Sequence, residues 1–233
     1  MMAETPPPGP LLSASRTLTT AEAKAFYDGF GAKQDGQAFY EDHAVNALID
    51  HADFEHAHSV FEFGAGTGRL AARLLGTMLP DDCRYLGVDI SETMVALARE
   101  RLRPWATRAE VVLSEGPIPT QCRAAEYDCF VSTYVLDLMS EEAIESVLAD
   151  ANRLLRPDGL LCLVSLTHGD TFRTKLVVSA WTALHRLNPK IVGGCRPIAL
   201  HDLLPGDCWQ LRHHEVVSAW GINSEALVAA RTA

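Results

Sequence analysis

Apolar positions along the chain form short continuous runs that alternate with stretches of helical period. Val60–Phe63, Arg84–Asp89, Glu110–Leu113, Tyr127–Ser132 and Leu160–Leu166 read as strands. The last is almost wholly apolar, as a parallel strand covered on both faces must be. Between them, Leu70, Ala71, Leu74, Leu75 and Met78 mark one helix face, and Met94, Val95, Ala98 and Leu102 a second. Ile144, Val147, Leu148, Ala151, Leu154 and Leu155 mark a third. Ser91 and Ser140 stand where N-caps are expected, the latter followed by Glu141 and Glu142. Residues 171–187 predict a further helix, with Trp181 on its apolar stripe, and Trp209–Ser218 and Ser224–Ala230 predict two closing strands. This alternation predicts an α/β, doubly wound, mostly parallel sheet. Upstream, Ala21–Tyr40 and Glu41–Phe54 predict two helices broken at Lys33-Gln34-Asp35-Gly36. They are expected as a lid (21–54) over the carboxyl ends of the strands, where open α/β sheets bind ligands. Residues 1–20, with Pro6-Pro7-Pro8-Gly9-Pro10, are expected as a disordered tail, and 21–233 as a single domain.

One segment carries more chemistry than the rest. Val60-Phe61-Glu62-Phe63-Gly64-Ala65-Gly66-Thr67-Gly68-Arg69-Leu70 is an apolar strand with one acid that turns through three alternating glycines into a helix. Glycines at 64, 66 and 68, with Ala65 between the first two, let the backbone turn tightly and approach a ligand closely. The helix then points free N–H groups at that ligand. The next predicted strand ends in Asp89, placed to accept hydrogen bonds from a ribose diol. Dinucleotide binders use G-x-G-x-x-G, with a pyrophosphate on the helix N-terminus. Here Glu62 precedes a G-x-G-x-G pattern, which suits a ligand that carries a cationic amino-acid end.

On these residues the chain resembles the class I S-adenosylmethionine-dependent methyltransferases, whose first motif is E/D-x-G-x-G-x-G. The resemblance extends to Tyr127-Asp128-Cys129-Phe130-Val131-Ser132, similar to the family's fourth strand, and to Leu154-Leu155-Arg156-Pro157-Asp158-Gly159, similar to its turn before the fifth. It implies a seven-stranded sheet whose C-terminal strand pair is antiparallel. It implies S-adenosyl-L-methionine as cofactor, S-adenosyl-L-homocysteine as product, and a small-molecule methyl acceptor. Glu62, Gly64, Ala65, Gly66 and Gly68 would then hold the methionine end and Asp89 the ribose, with Ile90 and Met94 against the adenine. Ser114 or Glu115 would read the adenine amino group, and Ser132 and Thr133 would face the cleft. Tyr27, Asp28, Gln34 and Tyr40 of the lid would complete the pocket. Tyr134, Asp137 and His168 follow the fourth and fifth strands and are the candidates for catalytic contact with an acceptor.

Composition narrows the partners. A formal net charge of −10 argues against a nucleic-acid partner, and Arg99, Arg101, Arg103 and Arg108 read as a solvated face. Ser132-Thr133-Tyr134-Val135 lacks the N/D-P-P-Y pattern of amino-methylating nucleic-acid enzymes and the Pro-Cys of cytosine-methylating ones. Cysteines 83, 122, 129, 162, 195 and 208 show no C-x-x-C pair, and no basic start precedes an apolar run. A reducing, cytoplasmic setting is expected, with no stable membrane insertion. His51, His56 and His58 lack a matching ligand cluster, so no metal is expected. The competing functions are an NAD-dependent oxidoreductase, an aminopropyltransferase on the same fold, and a non-catalytic module that binds the cofactor.

Overall fold

The short apolar runs form strands whose successive side chains point to opposite faces, so each strand feeds two cores. In a computed structural model, which describes residues 17–116, 118, 122–168 and 194–232, these strands are β1 (Ser59–Phe63), β2 (Arg84–Asp89), β3 (Ala109–Leu113), β4 (Tyr127–Thr133), β5 (Leu155–Leu166), β6 (Trp209–Ala219) and β7 (Ile222–Arg231). They make one seven-stranded sheet in the order β3-β2-β1-β4-β5-β7-β6. The pairs from β3 to β5 are parallel, while β7 runs antiparallel to both β5 and β6. The helix expected over residues 171–187 lies outside the described residues.

The helices are α1 (Thr20–Phe30), α2 (Ala38–Ile49), α3 (Arg69–Thr77), α4 (Glu92–Arg101) and α5 (Glu141–Leu154). On one face, Leu48 of α2, Leu74 of α3 and Val95 of α4 meet Val60, Val131, Cys162 and Val228. On the other, Ile144, Leu148 and Leu154 of α5 meet Phe61, Phe130, Leu161 and Leu227. Phe61 and Phe130 stack at 5.3 Å and are fully buried; truncating either costs about 3–5 kcal/mol. Ser91 and Ser140 cap α4 and α5 as expected, accepting from the N–H groups of Met94 and Ala143.

Three expectations change. The two upstream helices are shorter than predicted, because a 3-10 turn over Gly31–Gln37 takes the place of a simple break. β5 begins at Leu155 rather than Leu160. Asp158 adopts a left-handed φ of 63° and Tyr127 pairs with Leu155, so the turn is absorbed into the strand. The arginine run is not simply solvated: Arg99 donates to Val111 O, Arg108 to Leu75 O and Pro80 O, and Arg101 reaches Asp35. Edge strand β6 is mostly exposed and carries Arg212 and Glu215, charges of the kind that discourage edge-to-edge pairing. Among the described residues, no helix is long and apolar enough to cross a membrane.

Candidate active site

Strand order reverses between β1 and β4, and a cavity of about 700 Å³ opens there at the carboxyl ends of the strands. Its floor is the glycine turn. The N–H groups of Gly64 and Ala65 both donate to Val88 O, at 2.8 and 2.9 Å, tying the turn to β2. At Gly64, with φ +81°, an added Cβ would lie 2.2 Å from Val135 Cγ2. At Gly66, with φ +53°, it would meet nothing within 4 Å, so the backbone lies open to the cavity. Gly68 does not line the cavity. Its φ is +74° and a Cβ there would come within 3.0 Å of Ala98 Cα, so it serves the close packing of α3 on α4.

Two acids flank this turn. Glu62 is 2% exposed and accepts a short hydrogen bond from the Tyr85 hydroxyl. Burial pushes its carboxyl up to about 8, against the pull of that bond. Asp89 accepts from Gly66 N and from Ser91 N, each at 2.9 Å, so the second strand's acid braces the first strand's turn. Burial raises its carboxyl too, opposed by the N–H groups of Ser91, Gly66 and Ile90. Ile90, Met94, Ser114, Glu115 and Ile118 continue the wall.

The N-terminal segment closes over this floor through charged anchors. Ser91 Oγ donates to Asp28 Oδ1 at 2.6 Å, and Lys24 bridges Asp28 and Glu92. Thr67 Oγ1 donates to Asp35 at 2.6 Å, and Arg101 reaches the same carboxylate at 2.5 Å. Arg69 pairs with both Glu41 and Asp42. Thr17, Thr20, Ala23, Tyr27, Gln34, Asp35 and Glu41 line the cavity, whereas Asp28 and Tyr40 do not. The remainder of α2 lays Ala44, Val45, Leu48 and Ile49 on the sheet and acts there as a packing helix. Glu41 is 6% exposed, and burial moves its carboxyl up to about 7 against the neighbouring Arg69. Tyr27 hydrogen-bonds Cys195 and titrates well above its ordinary range because it is buried.

The sequence-predicted catalytic trio is not brought together. Tyr134 lines the cavity with φ +56°, but its hydroxyl donates to Ser224 Oγ on β7 at 2.9 Å. Asp137 is fully buried outside the cavity, where Leu166 N donates to its Oδ2 and Arg196 N to its backbone oxygen. Burial moves its carboxyl up to about 7. His168 is exposed and does not line the cavity. Ser132 also fails to reach the cleft, because its hydroxyl donates to Phe63 O; Thr133, the next residue, lines it. The residues that sequence reasoning missed are Thr67, Arg69 and Glu41. The polar break at residues 33–36 was the one signal that pointed toward them, since Asp35 binds Thr67.

Residues 60–159 match a family model described as a methyltransferase domain. A stretch of 123 residues, 52% of the chain, is 31% identical to the non-reducing polyketide synthase adrD of Penicillium roqueforti and spans 5% of that protein. A stretch of 124 residues is 34% identical to the non-reducing polyketide synthase mapC of Penicillium roqueforti, again 5% of its length. Among solved structures, the [4+2]-cyclase SpnF superposes with a TM-score of 0.67 at 14% identity, over 94% of this chain and 99% of that one. The magnesium protoporphyrin IX methyltransferase ChlM of Synechocystis, with bound S-adenosylhomocysteine, gives 0.64 at 15% identity, over 90% and 99%. The N-methyltransferase NodS of Bradyrhizobium japonicum, also with S-adenosylhomocysteine, gives 0.67 at 14% identity, over 90% and 98%. Residues 60–159 are thus similar to a methyltransferase domain, and the chain has the Rossmann-like fold of these methyltransferase structures.

Proposed function

We propose that the chain transfers a methyl group from S-adenosylmethionine to a small-molecule acceptor. The observation that supports this most is the open cradle at Gly66 between Glu62 and Asp89, on one cavity. The cavity's volume suits a ligand of cofactor size plus an acceptor. Asp89 has about four acceptor positions, and its backbone bonds leave room for a ribose hydroxyl. Ile90, Met94 and Ile118 supply an apolar slot for adenine, with Ser114 or Glu115 at its polar edge. Glu62 and the backbone of Gly64–Gly66 take the amino-acid end. Bound there, the cofactor supplies an electrophilic methyl group on a sulfonium.

The chain's own work is then to orient the acceptor and exclude water. Tyr27 and the charged anchors of α1 and the 31–37 turn close the site. Glu41 is the group placed to take a proton from an acceptor, since it faces the cavity with a carboxyl near neutrality. Tyr134 and Asp137 become positioning residues, which hold β7 and the end of β5. The fold hosts more than one chemistry, as the cyclase neighbour shows, so transfer itself has to be measured. The polyketide synthase relatives make polyketide-type small molecules the first acceptors to try.

Calorimetric titration with S-adenosylhomocysteine and with NAD, followed by mass spectrometry for methylated acceptor, tests this reading. Tighter binding of NAD would overturn it in favour of an oxidoreductase. Tight S-adenosylhomocysteine binding with no transfer to any acceptor tried would favour the non-catalytic module.

A further inference from the structure

Three side chains from separate parts of the chain converge away from the cavity's lining. Glu225 stands near the start of β7 and is fully buried. His214 comes from β6, and His201 from the 3-10 turn Leu200–Leu203. His201 Nδ1 and His214 Nε2 each lie 2.8 Å from the same atom, Glu225 Oε1. The backbone N–H of His201 donates to that oxygen as well, at 3.0 Å. The other oxygen, Oε2, is engaged by Leu200 N at 2.8 Å and Thr167 Oγ1 at 3.3 Å.

Two imidazole nitrogens and a carboxylate oxygen gathered at one point form a ligand set for a cation. Three nitrogens compete for one carboxylate oxygen, which has two lone pairs. His201 Nε2 faces Asp202 at 3.3 Å. With the proton on Nδ1 the ring donates to Glu225 Oε1; with the proton on Nε2, facing Asp202, the Nδ1 lone pair is free to ligate a cation that lies between it and the carboxylate. A carboxylate on the far ring nitrogen is also the arrangement that orients metal-binding imidazoles.

We propose that His201, His214 and Glu225 bind one divalent cation of the zinc class, which ties the Leu200–Leu203 turn to the β6–β7 edge. The three donor atoms lie within 4.8 Å of one another. Tetrahedral zinc, with bonds of about 2.0–2.1 Å, sets its ligand atoms about 3.3 Å apart. To admit the ion, Oε1 recedes from each ring nitrogen by about half an ångström, and the two ring nitrogens take the same spacing. Two imidazoles and one carboxylate suit zinc, whereas magnesium and calcium prefer oxygen donors throughout. The His201 and His214 side chains are 46% and 31% exposed, which gives the ion a path in and leaves a fourth position for water. This site is independent of the cofactor reading, because none of its residues lines the cavity.

The test uses the full chain, stripped with chelator, and two variants, His201→Ala and His214→Ala. Both replace exposed side chains, and circular dichroism checks their folding. Zinc chloride titrated into the parent is expected to bind at one equivalent and to raise the melting temperature, where magnesium does not. Cobalt is expected to give the visible absorption of a four-coordinate site. Each variant should weaken zinc binding at least tenfold while leaving S-adenosylhomocysteine affinity unchanged. Equal zinc affinity in parent and variants would overturn the proposal. So would variants that shift the pH dependence of melting while the parent binds no zinc, which would assign the cluster to paired imidazolium rings.

Discussion

Replacing Glu62 by Gln tests the electrostatics of the site most directly. Glu62 is 2% exposed, and its carboxyl is moved from 4.5 to about 8, chiefly by burial. A carboxyl raised on folding contributes stability that is complete below its unfolded value and is lost as pH rises through its folded value. Between pH 6 and pH 8 the group is ionised in the unfolded chain, while in the folded protein it goes from protonated to half-ionised. Folding therefore loses about 1.7 pH units' worth of proton linkage over that interval, or about 2 kcal/mol at about 1.4 kcal/mol per unit. Urea unfolding of the ligand-free protein at both pH values reads the difference. The parent should lose about 2 kcal/mol more than Glu62→Gln. The variant keeps a residual slope, because Glu41 and Asp137 are also raised, each to about 7. Binding should behave oppositely: a cationic ligand end beside Glu62 expels its proton, so the parent binds S-adenosylhomocysteine about tenfold or more tightly at pH 8 than at pH 6. The variant's affinity should be weaker at pH 8 and nearly flat with pH. Parallel stability curves for the two proteins would refute the assignment of a buried, protonated acid at this position.

Asp89→Ala should lose about 2–4 kcal/mol of S-adenosylhomocysteine affinity by calorimetry, since a charge-assisted ribose contact and the brace on Gly66 N disappear together; unchanged affinity would mean that another residue holds the ribose. Asp35→Asn removes the charge that Arg101 and Thr67 hold, and should weaken docking of the 31–37 turn by about 1–3 kcal/mol, seen as faster proteolysis of that turn in the free protein with S-adenosylhomocysteine restoring protection. Glu41→Gln should lower kcat with little effect on cofactor affinity and abolish an activity rise centred near pH 7. His168→Ala should leave both parameters unchanged, and a tenfold fall in kcat there would return it to the site.

What the sequence made legible is what nearest neighbours decide. Ser91 and Ser140 cap helices through N–H groups three residues on, so their role follows from local order alone. The glycine turn is likewise local, because a left-handed φ at Gly64, Gly66 and Gly68 follows from the chain's need to reverse within a few residues. The cavity's floor is accordingly readable from local order alone. Gly68 shows the limit of that reading: the conformation was local, but its reason, contact with Ala98, lies on the next helix.

Where side chains point at strand ends was not legible, because contacts distant in sequence decide it. Ser132 and Thr133 are adjacent, yet the period of two sends one hydroxyl to Phe63 O and leaves the other at the cavity. Tyr134 and Asp137 follow the fourth strand as expected, but Ser224 takes the Tyr134 hydroxyl and Leu166 N one Asp137 carboxylate oxygen, and neither contact can be read from spacing. The same physics hid the His201–His214–Glu225 cluster. Its separations match no ligand motif, and only the antiparallel pairing of β6 with β7, together with the turn at Leu200–Leu203, brings the three donors to one point. A buried carboxylate at the core of a sheet edge is costly unless charge or hydrogen bonds meet it. Glu225 is met by Thr167 Oγ1, Leu200 N and His201 N as donors and by the ring nitrogens of His201 and His214, so the sheet's last two strands are organised around that acid as well as around their apolar face.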